Sequence, residues 1–343
     1  MKEYPRMRQL WTKLRNIGLA CMITVASSAA FHPSAARAEE QVTLATVAWI
    51  GYAPFYVAVE KNLFEKYGVK VALKDFADPA LIPAALQSGG IQGAMYTYDQ
   101  VINLVANGNA FKVVMPIDYS NGADAVVALK SIKSMADLKG KKVAYPFATC
   151  DNLLVAYGLQ KSGLTEADVE GLDTTPENVA AALVGGAVAG ATYEPNVSKI
   201  LKLDVNGGYH AIYTSASAPG LITDILYFST DYISKNPKAI DGVIKGYIDG
   251  MAFMKSNPEE AYAIVAKYFS TTVDDVKEQA KGAYNIPVSE MAGYFTPHDD
   301  AKSLFTSGKL IAEVLVKRGQ IKATPKIEDT FDAKFVSSIV ASK

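Results

Sequence analysis

Three observations predict an α/β fold built as two lobes. From Val42 onward, β-like runs alternate with helical runs, and each return is long enough to hold the helix that parallel-type strands need. Glycines at Gly68, Gly89-Gly90, Gly108 and Gly185-Gly186 stop the helical runs. Two segments, 118–129 and 215–233, leave one α/β set for the other, so a chain that returns to its first set crosses twice. Two crossings make two lobes joined by two hinge strands, with a cleft between them.

The elements follow in order. The first set reads as strand Val42–Ala48, helix Pro54–Tyr67, strand Val69–Phe76, helix Pro79–Gln87, strand Ile91–Tyr96, helix Tyr98–Asn107 and strand Phe111–Ile117. On the first helix Phe55, Val59 and Leu63 share one apolar face. The second set has strand Lys142–Tyr145, helix Asn152–Lys161, strand Ala187–Tyr193, a helix opened by Pro195, and strand His210–Thr214. From Asn236 the chain is helix upon helix. Asn236-Pro237 and Asn257-Pro258 each place a capping residue before a first-turn proline. These boundaries predict lobe one at 39–122 and 223–343, lobe two at 123–222, and late helices packed on lobe one.

The first 38 residues read as a secretory signal peptide. Met1–Asn16 is basic, Ile17–Phe31 is uncharged and apolar or small, and Ala36-Arg37-Ala38 offers a cleavage site. The apolar run is too short for a membrane span, and too little apolar sequence precedes Cys21 for a lipoprotein signal. Cleavage near Ala38 leaves 28 basic and 34 acidic residues, a net charge of −6. That balance argues against nucleic acid, which wants a basic face. The signal peptide, with no further apolar stretch of membrane length, predicts a soluble, periplasmic product, and we expect a monomer. Cys150 is then the lone cysteine, so no intrachain disulfide forms. His210 and His298 stand far apart, no zinc or haem spacing exists, and neither a metal nor a cofactor is expected.

Ligands of open α/β sheets sit where strands hand over to helices at their carboxyl ends. The first such end is Trp49-Ile50-Gly51-Tyr52. Gly51 allows close backbone approach to a ligand, Trp49 and Tyr52 offer apolar walls with polar tips, and the helix start behind them presents free N–H groups. The other ends of lobe one give Tyr96, Thr97 and Asp99, then Asp118 and Tyr119; a cap is the alternative for Thr97 and the preferred reading of Asp99. Lobe two gives Thr149, Asp151 and Asn152, which can each cap, and Glu194, whose alternative is favourable charge at a helix N-terminus. Cys150 reads as a small buried thiol.

The stretch "WIGYAPFYVAVEKNLFEKYGVKV" resembles the N-terminal signature of periplasmic substrate-binding proteins of the nitrate/sulfonate/taurine (NitT/TauT) type, in one superfamily with thiamine-pyrimidine-precursor binders. "ALQSGGIQGAMYTYDQ", "DYSNGADAVVAL", "SMADLKGKKVAY", "YEPNVSKIL", "SAPGLITDILYF" and "NPEEAYAIVAKYF" continue the resemblance in order along the chain. It implies a type II periplasmic-binding-protein fold that closes over one small solute and presents it to a permease and ATPase of an ABC importer. It implies no catalysis. The cysteine-rich, histidine-bearing iron site of related fungal pyrimidine-precursor synthases is absent, as is a G-x-S-x-G nucleophile motif. A ligand sensor on the same fold needs the same cleft and stays open as a reading.

The residues add the solute's chemistry. Arg318 is the sole arginine after cleavage, whereas Asp118, Asp124, Asp151, Glu194 and Asp224 lie at strand ends and crossings. Carboxylates facing a cleft want N–H or ammonium partners, and helix starts can hold an anionic head. The expectation is an amine-bearing sulfonate such as taurine, with an amine heterocycle as a near competitor. Nitrate fits worse.

Overall fold

The computed structural model describes residues 39–147, 149–205 and 207–341, so the expected signal peptide lies outside the described residues. Eleven strands are described: β1 (Glu40–Thr46), β2 (Val69–Asp75), β3 (Gly93–Thr97), β4 (Phe111–Ser120), β5 (Asp124–Leu129), β6 (Lys142–Tyr145), β7 (Glu170–Asp173), β8 (Ala189–Tyr193), β9 (Tyr209–Thr214), β10 (Thr223–Ser229) and β11 (Ala283–Asn285). They form two sheets, ordered β11-β4-β10-β3-β1-β2 and β7-β6-β8-β5-β9.

Helices α1 (Ala53–Glu60), α2 (Ile82–Gln87) and α3 (Tyr98–Ala106) belong to the first set of elements. Helices α4 (Cys150–Lys161), α5 (Val179–Val184) and α6 (Asn196–Leu201) belong to the second. The late region holds α7 (Thr230–Lys235), α8 (Pro237–Ser256), α9 (Pro258–Phe269), α10 (Val273–Ala280), α11 (Val288–Met291), α12 (Leu304–Lys317) and α13 (Lys334–Ala341). None of these helices is long and apolar enough to cross a membrane.

The sheets are mixed rather than parallel. β1 runs parallel to β2 and β3, but β10 runs antiparallel to β3 and β4. In the second sheet β6 is parallel to β7 and β8, while β5 is antiparallel to β8 and β9. The cause is the crossings. Each segment expected to be a connection is itself an inserted strand: β5 enters the second sheet and β10 the first, each arriving from the opposite lobe and so running against its neighbours. Both lie inside their sheets, and all of Asp124–Ala128 and Thr223–Phe228 is buried.

At the hinge, Ser120 Oγ meets Ser215 Oγ at 2.7 Å, and the Gly122 N–H donates to Ser215 Oγ at 2.8 Å. The two crossings are thereby bonded to each other. Ser120 Oγ also accepts the Asp124 N–H at 3.1 Å, which fixes the start of β5.

Helix α1 is shorter than the expected 54–67. It ends at Glu60, Asn62 takes φ 52°, and a tight turn then leads to Gly68 at φ 76°. Proline does open α8 and α9, but neither Asn236 nor Asn257 caps with its side chain. Helix α8 packs on lobe one through Gly242, Gly246 and Gly250, spaced four apart on one face. A Cβ on these residues would overlap Val69, Phe64 and the Pro54 carbonyl respectively, so the small residues let α8 lie against β2 and α1.

Candidate functional site

β1 ends facing the seam between the sheets, and Trp49 then opens a 3-10 turn, Ile50–Tyr52, ahead of α1. The Trp49 indole Nε1 donates to Asp118 Oδ1 at 3.0 Å. Gly51 makes this pairing possible, since an added Cβ would overlap both the Asp118 carboxylate and the indole nitrogen. Its role is thus close approach to Asp118. Its own carbonyl accepts from Asn285 Nδ2 at 2.6 Å. Tyr52 is fully buried and its hydroxyl donates to Asp224. Asp224 and Asp118 are register partners on β10 and β4, so two carboxylates lie side by side.

A small cavity lies between the two sheets. The first sheet's side contributes Val47, Trp49, Tyr96, Thr97, Ile222 and Asp224. The second sheet's side contributes Asp124, Cys150 and Tyr193. Trp49 meets Tyr193 edge to face across the seam, with centroids 6.0 Å apart. No lysine, arginine or histidine is among the described residues lining it.

Burial favours the protonated form of carboxylates in such a place. Burial pushes Asp118 up to about 8, although the Trp49 hydrogen bond works the other way. Asp124 is pushed up to about 7, again chiefly by burial. Asp151 and Asp224 are raised well above the usual carboxylate range by burial and by neighbouring aspartates. Neither oxygen of Asp151 accepts a hydrogen bond, and Asp151 is completely buried. Such a group is costly unless a partner arrives.

The structure brings Trp49, Tyr96 and Thr97 to the cavity. Thr97 occupies the cap position of α3 without a side-chain cap bond. Asp118, Tyr52 and Gly51 stand just behind, held in the network around Trp49 and Asp224. Asp151 sits with Asp124 and Cys150, one donor atom of each lying within 4.8 Å of the others.

Three expectations are not met in this geometry. Tyr119 points at Tyr284, with centroids 5.1 Å apart and Lys302 Nζ 5.4 Å above its ring, and does not line the cavity. The Thr149 hydroxyl donates to the Pro146 carbonyl at 3.0 Å. Glu194 turns both oxygens to Ser198, accepting its N–H at 3.0 Å and its hydroxyl at 2.8 Å, so it serves the start of α6. For Thr149 and Glu194 a partner close in sequence holds the side chain, and for Tyr119 it is the distant Tyr284.

Four cavity residues escaped the reading of the sequence as a site: Val47, Cys150, Tyr193 and Ile222. Tyr193 carried a signal, since it ends a strand beside Glu194. Asp124 and Asp224 were visible only as members of an acid inventory. Arg318 lies elsewhere, pairing its Nε with Glu166 Oε2 at 3.0 Å.

A relative from Brucella abortus, named as a binding protein, is 25% identical over 290 residues, covering 82% of this chain and 86% of the relative. The taurine-binding periplasmic protein of Escherichia coli is 26% identical over 290 residues, covering 80% of this chain and 90% of its own. Among solved structures, the periplasmic aliphatic sulphonate binding protein SsuA of Escherichia coli superposes with a TM-score of 0.69. It has 20% identity and covers 85% of this chain and 97% of that one, which establishes the periplasmic-binding-protein fold. The family model described as NMT1/THI5 like matches residues 49–261, and the chain belongs to that NMT1/THI5-like family.

Proposed function

We propose that this chain is the extracytoplasmic solute-binding component of an ABC importer, and that its solute carries a protonated amine. The carrying observation is the cavity itself: aromatic rings and buried carboxylates from both sheets, with no base among the described lining residues. An ammonium or a cationic heterocycle supplies what those carboxylates lack. The aromatic walls add cation–π attraction.

A sulfonate head fits less well than the sequence suggested. No lysine, arginine or histidine among the described lining residues offers such a head a countercharge. The nitrate and plain alkanesulfonate readings therefore yield to an amine-bearing solute, taurine included.

Mechanism follows from the two crossings. A solute touching Asp224 and Trp49 on one side and Asp124 and Tyr193 on the other binds the closed state better, and so shifts the population toward it. The moving units would be 39–122 with 223–343, against 123–222. The closed form would dock on a permease and its ATPase after export and cleavage near Ala38.

The test is a thermal-melt panel on protein stripped by unfolding and refolding. A solute present at about 1,000 times its Kd adds about 4 kcal/mol of stability, a shift of several degrees. Simple amines and aminopyrimidines should raise the midpoint, and alkanesulfonates and nitrate should not. A shift confined to the anions would overturn the reading.

A further inference from the structure

Asp124 opens β5, and Cys150 and Asp151 open α4, so all three belong to the second sheet's side of the seam. Each is buried, and one donor atom of each lies within 4.8 Å of the other two. Cys150 Sγ is 3.9 Å from Asp124 Oδ1. Asp151 accepts no hydrogen bond at either oxygen, and Asp124 Oδ2 has no partner. An amine explains the carboxylates but not a thiol set between them. A thiolate with two carboxylates is a donor set for a cation softer than magnesium or calcium.

We infer that Asp124, Cys150 and Asp151 form a binding site for a thiophilic divalent cation of the zinc, cobalt or cadmium kind. Zinc holds a thiolate sulfur and a carboxylate oxygen about 3.6 Å apart, so the Cys150–Asp124 pair needs only a few tenths of an ångström of adjustment. The Cys150 thiol proton, and any proton on the two aspartates, leaves to solvent as the metal enters. Three protein ligands leave a fourth position open, as in metal sites that take an exogenous group. That position faces the cavity toward Tyr96, whose hydroxyl is 3.9 Å from Cys150 Sγ. The trio comes from one lobe only, so it exists before the cleft closes. This inference does not rest on the amine reading, because Asp224 and the aromatic rings suffice to hold an ammonium.

The experiment is a cobalt titration of protein exported with its own N-terminal segment, reduced and stripped with a chelator. The expected result is a near-ultraviolet sulfur-to-cobalt charge-transfer band saturating at one ion per chain, with release of protons. The band should vanish in C150S, and D151N should weaken binding by at least the tenfold that losing even an outer-shell partner costs. X-ray absorption of the zinc-loaded wild type, which needs no variant to fold, should show one sulfur among oxygen ligands. A zinc shell without sulfur, no band in folded wild type, or a band surviving in C150S would overturn the inference. The amine panel on the same stripped protein separates the two readings. A cobalt band without amine shifts defeats only the amine reading, and amine shifts without a band defeat only the metal site.

Discussion

The two sides of the seam carry buried aspartates with different partners. On the first sheet, Asp118 receives the Trp49 indole N–H and Asp224 receives the Tyr52 hydroxyl. On the second, Asp151 receives nothing, and Asp124 meets only its own backbone's anchor at Ser120 and the weak donor Cys150. Each aspartate of the first pair has a strong donor, although Asp118 Oδ2 has none, whereas Asp151 has no donor at either oxygen. The contrast teaches that buried charge alone does not mark a binding group; missing donors do.

The comparison breaks most readily at Asp224, which lines the cavity. D224N should lower amine affinity by about 10- to 100-fold, the worth of a hydrogen bond to a charged group, as read by isothermal titration. An unchanged affinity would place the solute on the second wall. G51A should destabilise by about 1–3 kcal/mol in urea unfolding, because its Cβ forces Trp49 and Asp118 apart. Loss of less than that would show the Trp49–Asp118 contact to be soft.

Proton linkage sharpens the contrast further. Asp118 and Asp124 titrate near 8 and 7 in the folded protein, above the ordinary carboxylate value near 4. The folded state therefore holds more protons than the unfolded one between those values. The empty protein should lose stability as pH rises from about 4 to 8, and D118N should flatten that slope in melts across the range. A slope that steepened in D118N would reverse the assignment. The smallest effect belongs to E194Q. It should cost under about 1 kcal/mol through the α6 cap and leave amine affinity unchanged. A large affinity loss there would return Glu194 to the cleft.

Much of this was legible in the chain. Alternating periodicities gave the helices and most strands of both sets, and strand ends pointed to Trp49, Tyr96 and Thr97. β5 and β10 were read as connections because "DAVVAL" and "TDILYFS" sit beside Gly and Pro and have no helix before them. Only their long-range pairing makes them inner strands. β7, "EGLD", is exposed throughout and carries no apolar signal. At the site, Thr149 and Glu194 show where local sequence runs out. A hydroxyl or acid at a helix start can face the cleft or its neighbours in the chain, and here the Pro146 carbonyl and Ser198 take them.

The serine pair at the hinge has a consequence for the closing motion. Two separate connecting strands could each flex, allowing the lobes to slide, twist or hinge. Ser120 and Ser215, bonded at 2.7 Å with Gly122 tied to the same hydroxyl, fasten the strands at one point. That fastening lies beside Asp124, whose backbone N–H is held by the same Ser120. Residues near an axis sweep short arcs while those at the rim sweep long ones. Asp124 thus keeps nearly the same place relative to both sheets throughout the swing. Tyr193 is its register partner on β8 and travels with it, so in the proposed closure it is the wall carrying Trp49 that would move against Asp124.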